Sequence, residues 1–235
     1  MAHSSSDSSL HTASHDSSMK SFIISAAIDL FREQGYAGTS MQEIAGRVNL
    51  NPSSLYHYVS SKEEILESIY ARSNSFPAFH DTLAPHSDYA AQLYSLISYD
   101  VVRKCELPID FIELESLAHR SPERFRTFFD HYQHFYHMLV KVIDNGSAKG
   151  EFISCQADER AVVILSVNEG LQHHYHAKLH NELLLEKSGY TVRNHSPEDI
   201  GFLSAQVIIP SLLATPRDLN DVAKSAYAHY LNQFD

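Results

Sequence analysis

Two stretches of this 235-residue chain carry side chains suited to chemistry. Between Asn51 and Tyr58, the residues Ser53, Ser54, Tyr56, His57 and Tyr58 set hydroxyls and an imidazole around a single apolar anchor, Leu55. Groups of this kind hydrogen-bond to phosphate oxygens and base edges. Further on, Glu169, His173, His176 and His180 fall at i, i+4, i+7 and i+11, one stripe along a helix. Pairs of His and carboxylate at i, i+4 can chelate a divalent metal. One helix brings only two such ligands together, because the outer pair is about 16 Å apart at 1.5 Å per residue. A complete set needs His134 or His137 from another helix, or a dimer mate, so the plainer reading is a solvated or inter-subunit polar face, and no metal is expected. No Gly-rich phosphate loop, nucleophile elbow or zinc-protease His-Glu pair occurs, which argues against an enzyme and against a cofactor.

The elements that position these residues are helices. Phe22, Ile23, Ala26, Ala27, Leu30 and Phe31 recur at three and four, and Gly35 follows as a stop. Thr39 and Ser40 supply an N-cap for a short helix from about Met41 to Val48. Asn49 suits a left-handed turn, and Asn51 caps a third helix over about 52 to 58 with Pro52 at its first position. Ser60 or Ser61 then caps a fourth, running to about Phe76, with Glu63 and Glu64 at its positive end. Downstream, amphipathic patterns predict helices at about 87–104, 108–119, 122–145, 157–187, 197–213 and 217–233, with no strand alternation. The expected class is all-α. Residues 1–18 hold eight Ser and three His with Leu10 as the only large aliphatic side chain, which predicts a flexible tail.

Composition narrows the function classes. Apolar residues at 43% and charged residues at 20% are ordinary for a soluble globular chain. The longest nearly continuous apolar runs, Phe22–Ile28 and Ala161–Val167, fall far short of the roughly 20 residues that span a bilayer. The first residues lack the basic start and apolar stretch of a secretory signal, and Cys105 and Cys155 make no disulfide framework, so the cytoplasm is the expected compartment and no membrane partner is expected. A net charge of −11 excludes an indiscriminate nucleic-acid binder, though not a small DNA-reading module in an acidic protein.

Three helices in under 45 residues, the last short and polar outside, meet the needs of helix-turn-helix DNA binding. The residues Ala26-Ala27, Leu30-Phe31, Gly35-Tyr36, Thr39-Ser40-Met41, Ile44-Ala45, Leu55-Tyr56-His57-Tyr58, Ser61-Lys62-Glu63 and Ile65-Leu66 go further. In order and spacing, Met19 to Leu66 resembles the DNA-binding domain of the TetR (tetracycline repressor type) family of bacterial transcriptional regulators. Asn49, Asn51 and Ser53 depart from the family's usual residues there but remain compatible with turns and caps. The resemblance implies that Tyr56, His57 and Lys62 touch DNA, with Thr39 and Ser40 placed for phosphate at a helix N-terminus. Arg47 is a further candidate for phosphate, and Asn51, Pro52 and Ser53 complete the expected reading surface. From Met19 to Tyr70 there are four Lys/Arg against six Asp/Glu, so affinity must come from geometry and a dimer rather than bulk charge.

The resemblance also implies that residues 67–235 form a helical ligand-binding and dimerisation domain. Phe111, Glu115, His119, Tyr132, Tyr136, His137, Asn168 and Gln172 are the candidate walls of a pocket for a small, largely apolar or aromatic effector. Ile164, Leu165, Leu171, Leu179 and Leu183, with Phe202, Val207, Ile208, Ile209, Leu212 and Leu213, point to a homodimer built on the last long helices. The leading expectation is a ligand-responsive repressor that binds double-stranded, pseudo-palindromic operator DNA. The alternative is an all-α metal- or small-molecule-binding protein that works through its His stripes.

Overall fold

The computed structural model describes residues 6–73, 88–180, 195–229 and 231. Among them lie ten helices: α1 (Ser6–Gln34), α2 (Met41–Arg47), α3 (Pro52–Leu55), α4 (Lys62–Ser73), α5 (Tyr89–Glu106), α6 (Phe111–Arg120), α7 (Arg126–Ala148), α8 (Ala157–His180), α9 (Pro197–Ile208) and α10 (Leu219–His229). A 3-10 turn, Ile209–Ser211, follows α9. The chain is all-α, and extended pairing among the described residues is limited to one antiparallel bridge between Phe152 and Leu213.

Local chemistry sets the helix ends. The N–H of Gly35, at φ +80°, donates to Phe31 O and stops α1. Ser40 and Glu43 form a reciprocal capping box on α2. Asn49 takes φ +56°, the left-handed turn its side chain tolerates. Asn51 Oδ1 accepts from the Ser54 N–H at 2.8 Å, with Pro52 opening α3. Ser61, rather than Ser60, accepts from the Glu64 N–H at the start of α4.

Several boundaries differ from those the sequence predicts, two of them in the first three helices. α1 begins at Ser6, inside the segment 1–18 that the composition predicts to be a tail. Once Ile23–Phe31 have nucleated the helix by burying a face, each added residue brings its own backbone hydrogen bond. The third helix is α-helical only over Pro52–Leu55, and His57 and Tyr58 continue it with tighter bonds to Ser54 O and Leu55 O. Expected helix past Ser73, and between 181 and 187, lies outside the described residues.

The apolar residues form two main cores. The larger joins α5, α7, α8, α9 and α10. The other packs α1 to α4 around Phe31, Ile44, Leu55 and Leu66, but it also includes Leu107, Phe111, Leu114, Phe125 and Phe128. The expected boundary at 66/67 therefore does not separate two independent cores.

The turn Ala148–Phe152 is a fastening point. The Glu151 carboxylate accepts from the N–H groups of Tyr89 and Ala90 at 2.9 and 3.0 Å, capping α5. Arg217 clamps both Glu151 and Asp88, at 2.7–2.8 Å. Burial alone would raise the Asp88 carboxyl, but Arg217 and the Ala91 N–H outweigh it and hold the pKa at about 2. Phe152 is buried against Gly146, where a β-carbon would run into its ring. Gly146→Ala should therefore destabilise the fold. Overpacking costs about 1–3 kcal/mol against a helix-propensity gain near 1 kcal/mol. A melting curve should show a fall of a few degrees, and an unchanged or raised Tm would mean that the ring is free to move.

Candidate nucleic-acid interface and buried polar cluster

α2, the left-handed Asn49 and α3 form a helix pair braced from behind by α1. Leu55 is fully buried, whereas Tyr56 is 53% exposed and Asn51, Pro52, Ser53 and His57 are exposed beside it. These five expected DNA-binding residues share one outward surface. Tyr58 is half-buried against the core.

The other four are engaged within the protein. Thr39 is 3% exposed, its hydroxyl donates to Gly35 O at 2.8 Å and its N–H to Tyr36 O. It closes the α1–α2 turn. Ser40 is exposed, but its N–H and hydroxyl both donate to Glu43 Oε2. Arg47 makes a two-pronged pair with Glu33 at 2.6 and 3.1 Å, on the surface where such pairs are weak. Lys62 sends its ammonium to Tyr36 O and Thr39 O at 2.5 and 2.7 Å and over the Tyr36 ring at 4.2 Å. Burial lowers the pKa of that ammonium from its ordinary value. Lys62, at the start of α4, thus holds the α1–α2 turn through two carbonyls.

Glu64 ties the same region together. Lys20 Nζ donates to it at 2.8 Å, and the Ser60 N–H and hydroxyl both donate at 2.7 Å. Burial would raise this carboxyl, yet these donors outweigh it and bring its pKa to about 2.

In the larger core, the candidate pocket residues divide. Phe111, Tyr132, Asn168 and Gln172 converge on a buried polar cluster centred on Lys104. The Lys104 ammonium lies 3.0 Å from Asp100, 3.6 Å from Glu169 and 4.1 Å from the centroid of the Phe111 ring. Tyr132 donates to Glu169 at 3.1 Å, and Gln172 accepts from the Phe111 N–H at 3.1 Å. Asn168 donates to Asp100 and accepts from the Ser204 hydroxyl. Burial pushes the Glu169 carboxyl up, with Lys104 and Tyr132 acting against it. Sequence periodicity missed Lys104 and Asp100 because a charged i, i+4 pair reads as a solvated helix face.

Of the remaining pocket candidates, Glu115 is close enough for its charge to bear on Tyr132 and Glu169, and the other three lie elsewhere. His119 is exposed and bonds Glu115 O within α6, while Tyr136 reaches Asp158 at the surface beside exposed His137. The metal stripe is also divided. Glu169 faces Lys104, exposed His173 pairs with Asp110 at 2.6 Å, and His176 is buried; the His180 side chain lies outside the described residues. Among the described residues, no group of three His, Cys, Asp or Glu is placed to hold a metal ion.

The helix-turn-helix and its outward polar face define a class, and comparison with known proteins gives a family match for this N-terminal segment. Residues 23–69 match the model for bacterial regulatory proteins of the tetR family. Over 72 residues the chain is 43% identical to the biofilm operon icaADBC HTH-type negative transcriptional regulator IcaR of Staphylococcus epidermidis, covering 30% of this chain and 37% of that protein. IcaR of Staphylococcus aureus is 49% identical over 49 residues, 21% of this chain and 26% of the other. The chain thus spans little more than a third of these relatives at most. Among solved structures, AibR in complex with isovaleryl coenzyme A and operator DNA superposes with a TM-score of 0.60 at 17% identity, over 81% of this chain and 98% of that one. Mycobacterium smegmatis AmtR gives 0.59 at 22%, over 88% and 91%. Residues 23–69 of the chain thus carry a domain of the tetR family.

Glu64 gives the head a defined acid response. Its folded pKa of about 2 lies below the ordinary value near 4.3, so its stabilisation is present above that value and is lost as pH falls toward 2. Melting curves of Glu64→Gln should show a lower Tm at pH 7 and a flatter decline between pH 4.5 and 2.5. Parallel pH profiles for the two proteins would remove Glu64 from this role.

Proposed function

We propose that this protein is a ligand-responsive transcriptional regulator, a repressor that binds pseudo-palindromic double-stranded DNA as a homodimer in the cytoplasm. The observation that carries the reading is the exposed face of Asn51, Pro52, Ser53, Tyr56 and His57 on a helix pair whose inner face is closed by Leu55. The role of IcaR as a negative regulator supports the sign. The absence, among the described residues, of any helix long and apolar enough to cross a membrane is consistent with this reading. The Lys104 cluster is the effector site in this reading, entered by a small molecule with an apolar or aromatic body and a polar group that competes for Lys104. AibR, of the same fold, was crystallised with isovaleryl coenzyme A and operator DNA.

The second protomer docks on α8 and α9. Ile164, Leu165, Ile208, Ile209 and Leu212, which the sequence offers for this surface, are buried in the chain's own core. Leu179 is on α8 but its side chain, like residue Leu183, lies outside the described set. Left outside are Val162 and Val207, 54% and 61% exposed, with Val163 and Leu203 beside them. Val163→Glu combined with Val207→Glu should give a folded monomer by sedimentation and abolish tight operator binding, because a palindrome needs two heads at fixed spacing. A dimeric mass for that variant would place the interface elsewhere.

Selection from a random duplex pool should yield a palindrome, and Tyr56→Ala should weaken binding to it at least tenfold without lowering Tm. Salt dependence tests the roles of the cations. Release of Arg47 from Glu33 to phosphate in each protomer gives a slope of log K against log salt of about −2 for the dimer. Arg47→Ala should flatten this slope, while Lys62→Ala should lower both affinity and Tm without changing it. No selected sequence from the pool would refute the regulator reading.

A further inference from the structure

The acceptors around the buried ammonium are unequally held. Asp100, 3.0 Å from Lys104 Nζ, also accepts from Asn168 at 2.8 Å, and Asn168 is tied in turn to Ser204 at 2.6 Å. Glu169 stands farther off, at 3.6 Å, and accepts from the Tyr132 hydroxyl at 3.1 Å. Its side chain is 18% exposed, against 6% for Lys104 and 12% for Asp100, so Glu169 is the member of the trio nearest to water. An ammonium carries three donors. This one is attracted to two carboxylates, yet among the described residues its Nζ meets no acceptor in hydrogen-bond geometry. A buried donor in that state gains most from an acceptor that can approach it directly.

Shape and charge decide which acceptor fits. The rings of Phe111 and Tyr132, 6.4 Å apart between centroids and inclined by only 19°, line the cluster with flat apolar faces. An aryl body packs well on such faces. A neutral acceptor would have to part an ammonium from a carboxylate without replacing the charge, and a cation would meet the ammonium itself. A carboxylate replaces Glu169 like for like. Its arrival puts three carboxylates about one ammonium, and like charges shielded from water keep one of their number protonated. Glu169 is suited to that role, because burial already pushes its carboxyl up. The groups that face it are Lys104 and Asp100 on α5, Glu115 on α6 and Tyr132 on α7. His173, one turn along α8, is exposed and pairs with Asp110.

We propose that the Lys104 cluster takes a small monocarboxylate with an aryl or arylalkyl body, and that each carboxylate bound brings one proton to Glu169. The proposal rests on the reading of this cluster as an effector site. One oxygen of the ligand takes the place of Glu169 beside Lys104. The buffer supplies the proton that forms the new O–H bond on Glu169, and that hydroxyl donates to the ligand's other oxygen. The net charge of the cluster is the same before and after binding.

Binding is measured by calorimetry on the full chain without DNA. The probes are benzoate, phenylacetate and 3-phenylpropionate, with phenylacetamide and 2-phenylethylamine as neutral and cationic counterparts. At about pH 6.5 at least one carboxylate is expected to bind tenfold or more tightly than either counterpart, and to weaken at least tenfold by about pH 8.5. Titrations near pH 7.5 in phosphate and in Tris, which differ in ionisation enthalpy, should give an uptake of about one proton per ligand. Glu169→Gln should bind the same carboxylate with no proton uptake and less than a twofold change over that pH range. If this variant melts near the assay temperature, the proton count of the unaltered chain decides alone. The proposal is overturned if no carboxylate binds at about 10 mM, or if the amide or amine binds as tightly. Uptake below about half a proton, or an undiminished pH dependence in Glu169→Gln, overturns it as well. Proton-linked binding in a chain that selects no duplex supports the acid site and refutes the regulator reading. A selected duplex with no carboxylate bound does the reverse.

Discussion

A nearly dry ammonium organises the interior of this protein. The Lys104 side chain is 6% exposed, and removing one partner of a buried charge is strongly destabilising. Asp100, one turn earlier on α5, is its close partner, and Glu169 crosses from α8. Two carboxylates beside one ammonium would leave excess negative charge. Tyr132 and Asn168 relieve it by donating to Glu169 and Asp100, and Ser204 extends the network to α9. Four helices, α5, α7, α8 and α9, thereby acquire a fixed register that apolar packing alone would specify less sharply.

The head follows a different economy of charge. All four of its cations between Met19 and Tyr70 already have protein partners: Lys20 on Glu64, Arg32 on Glu106 O, Arg47 on Glu33 and Lys62 on two carbonyls. Their first effect is to fix the angles of α1, α2 and α4. The outward face is left to neutral donors and aromatic edges, groups suited to base edges and shape rather than to attracting phosphate from a distance. In a chain of net charge −11, this arrangement favours selective over indiscriminate binding.

Most of the architecture was legible in the sequence because helical periodicity and caps are local. Ser40, Asn49, Asn51 with Pro52 and Gly35 each act within four residues, and each is found where the sequence implies. What was not legible depends on partners far apart in sequence. Lys62 matches a motif by position, but its bonds to Tyr36 and Thr39 span 26 and 23 residues. Asp100 and Asn168 meet across 68 residues. The apolar stripes on α8 and α9 were visible, yet periodicity gives no sign of which valines face the chain's own core and which face out.

The shared core has a consequence for how a head can be moved. Were the boundary at 66/67 a flexible linker between separate cores, α4 could swing with no response from the helices behind it. Instead Phe111, Leu114, Phe125 and Phe128 complete the apolar cluster that contains Ile65, Leu66, Ile69 and Tyr70. The same Phe111 forms the floor beneath Lys104. The floor of the ammonium's site is therefore also a wall of the head's core. The two regions share packed walls, and in the regulator reading an effector acts only through unequal affinity for two arrangements of them.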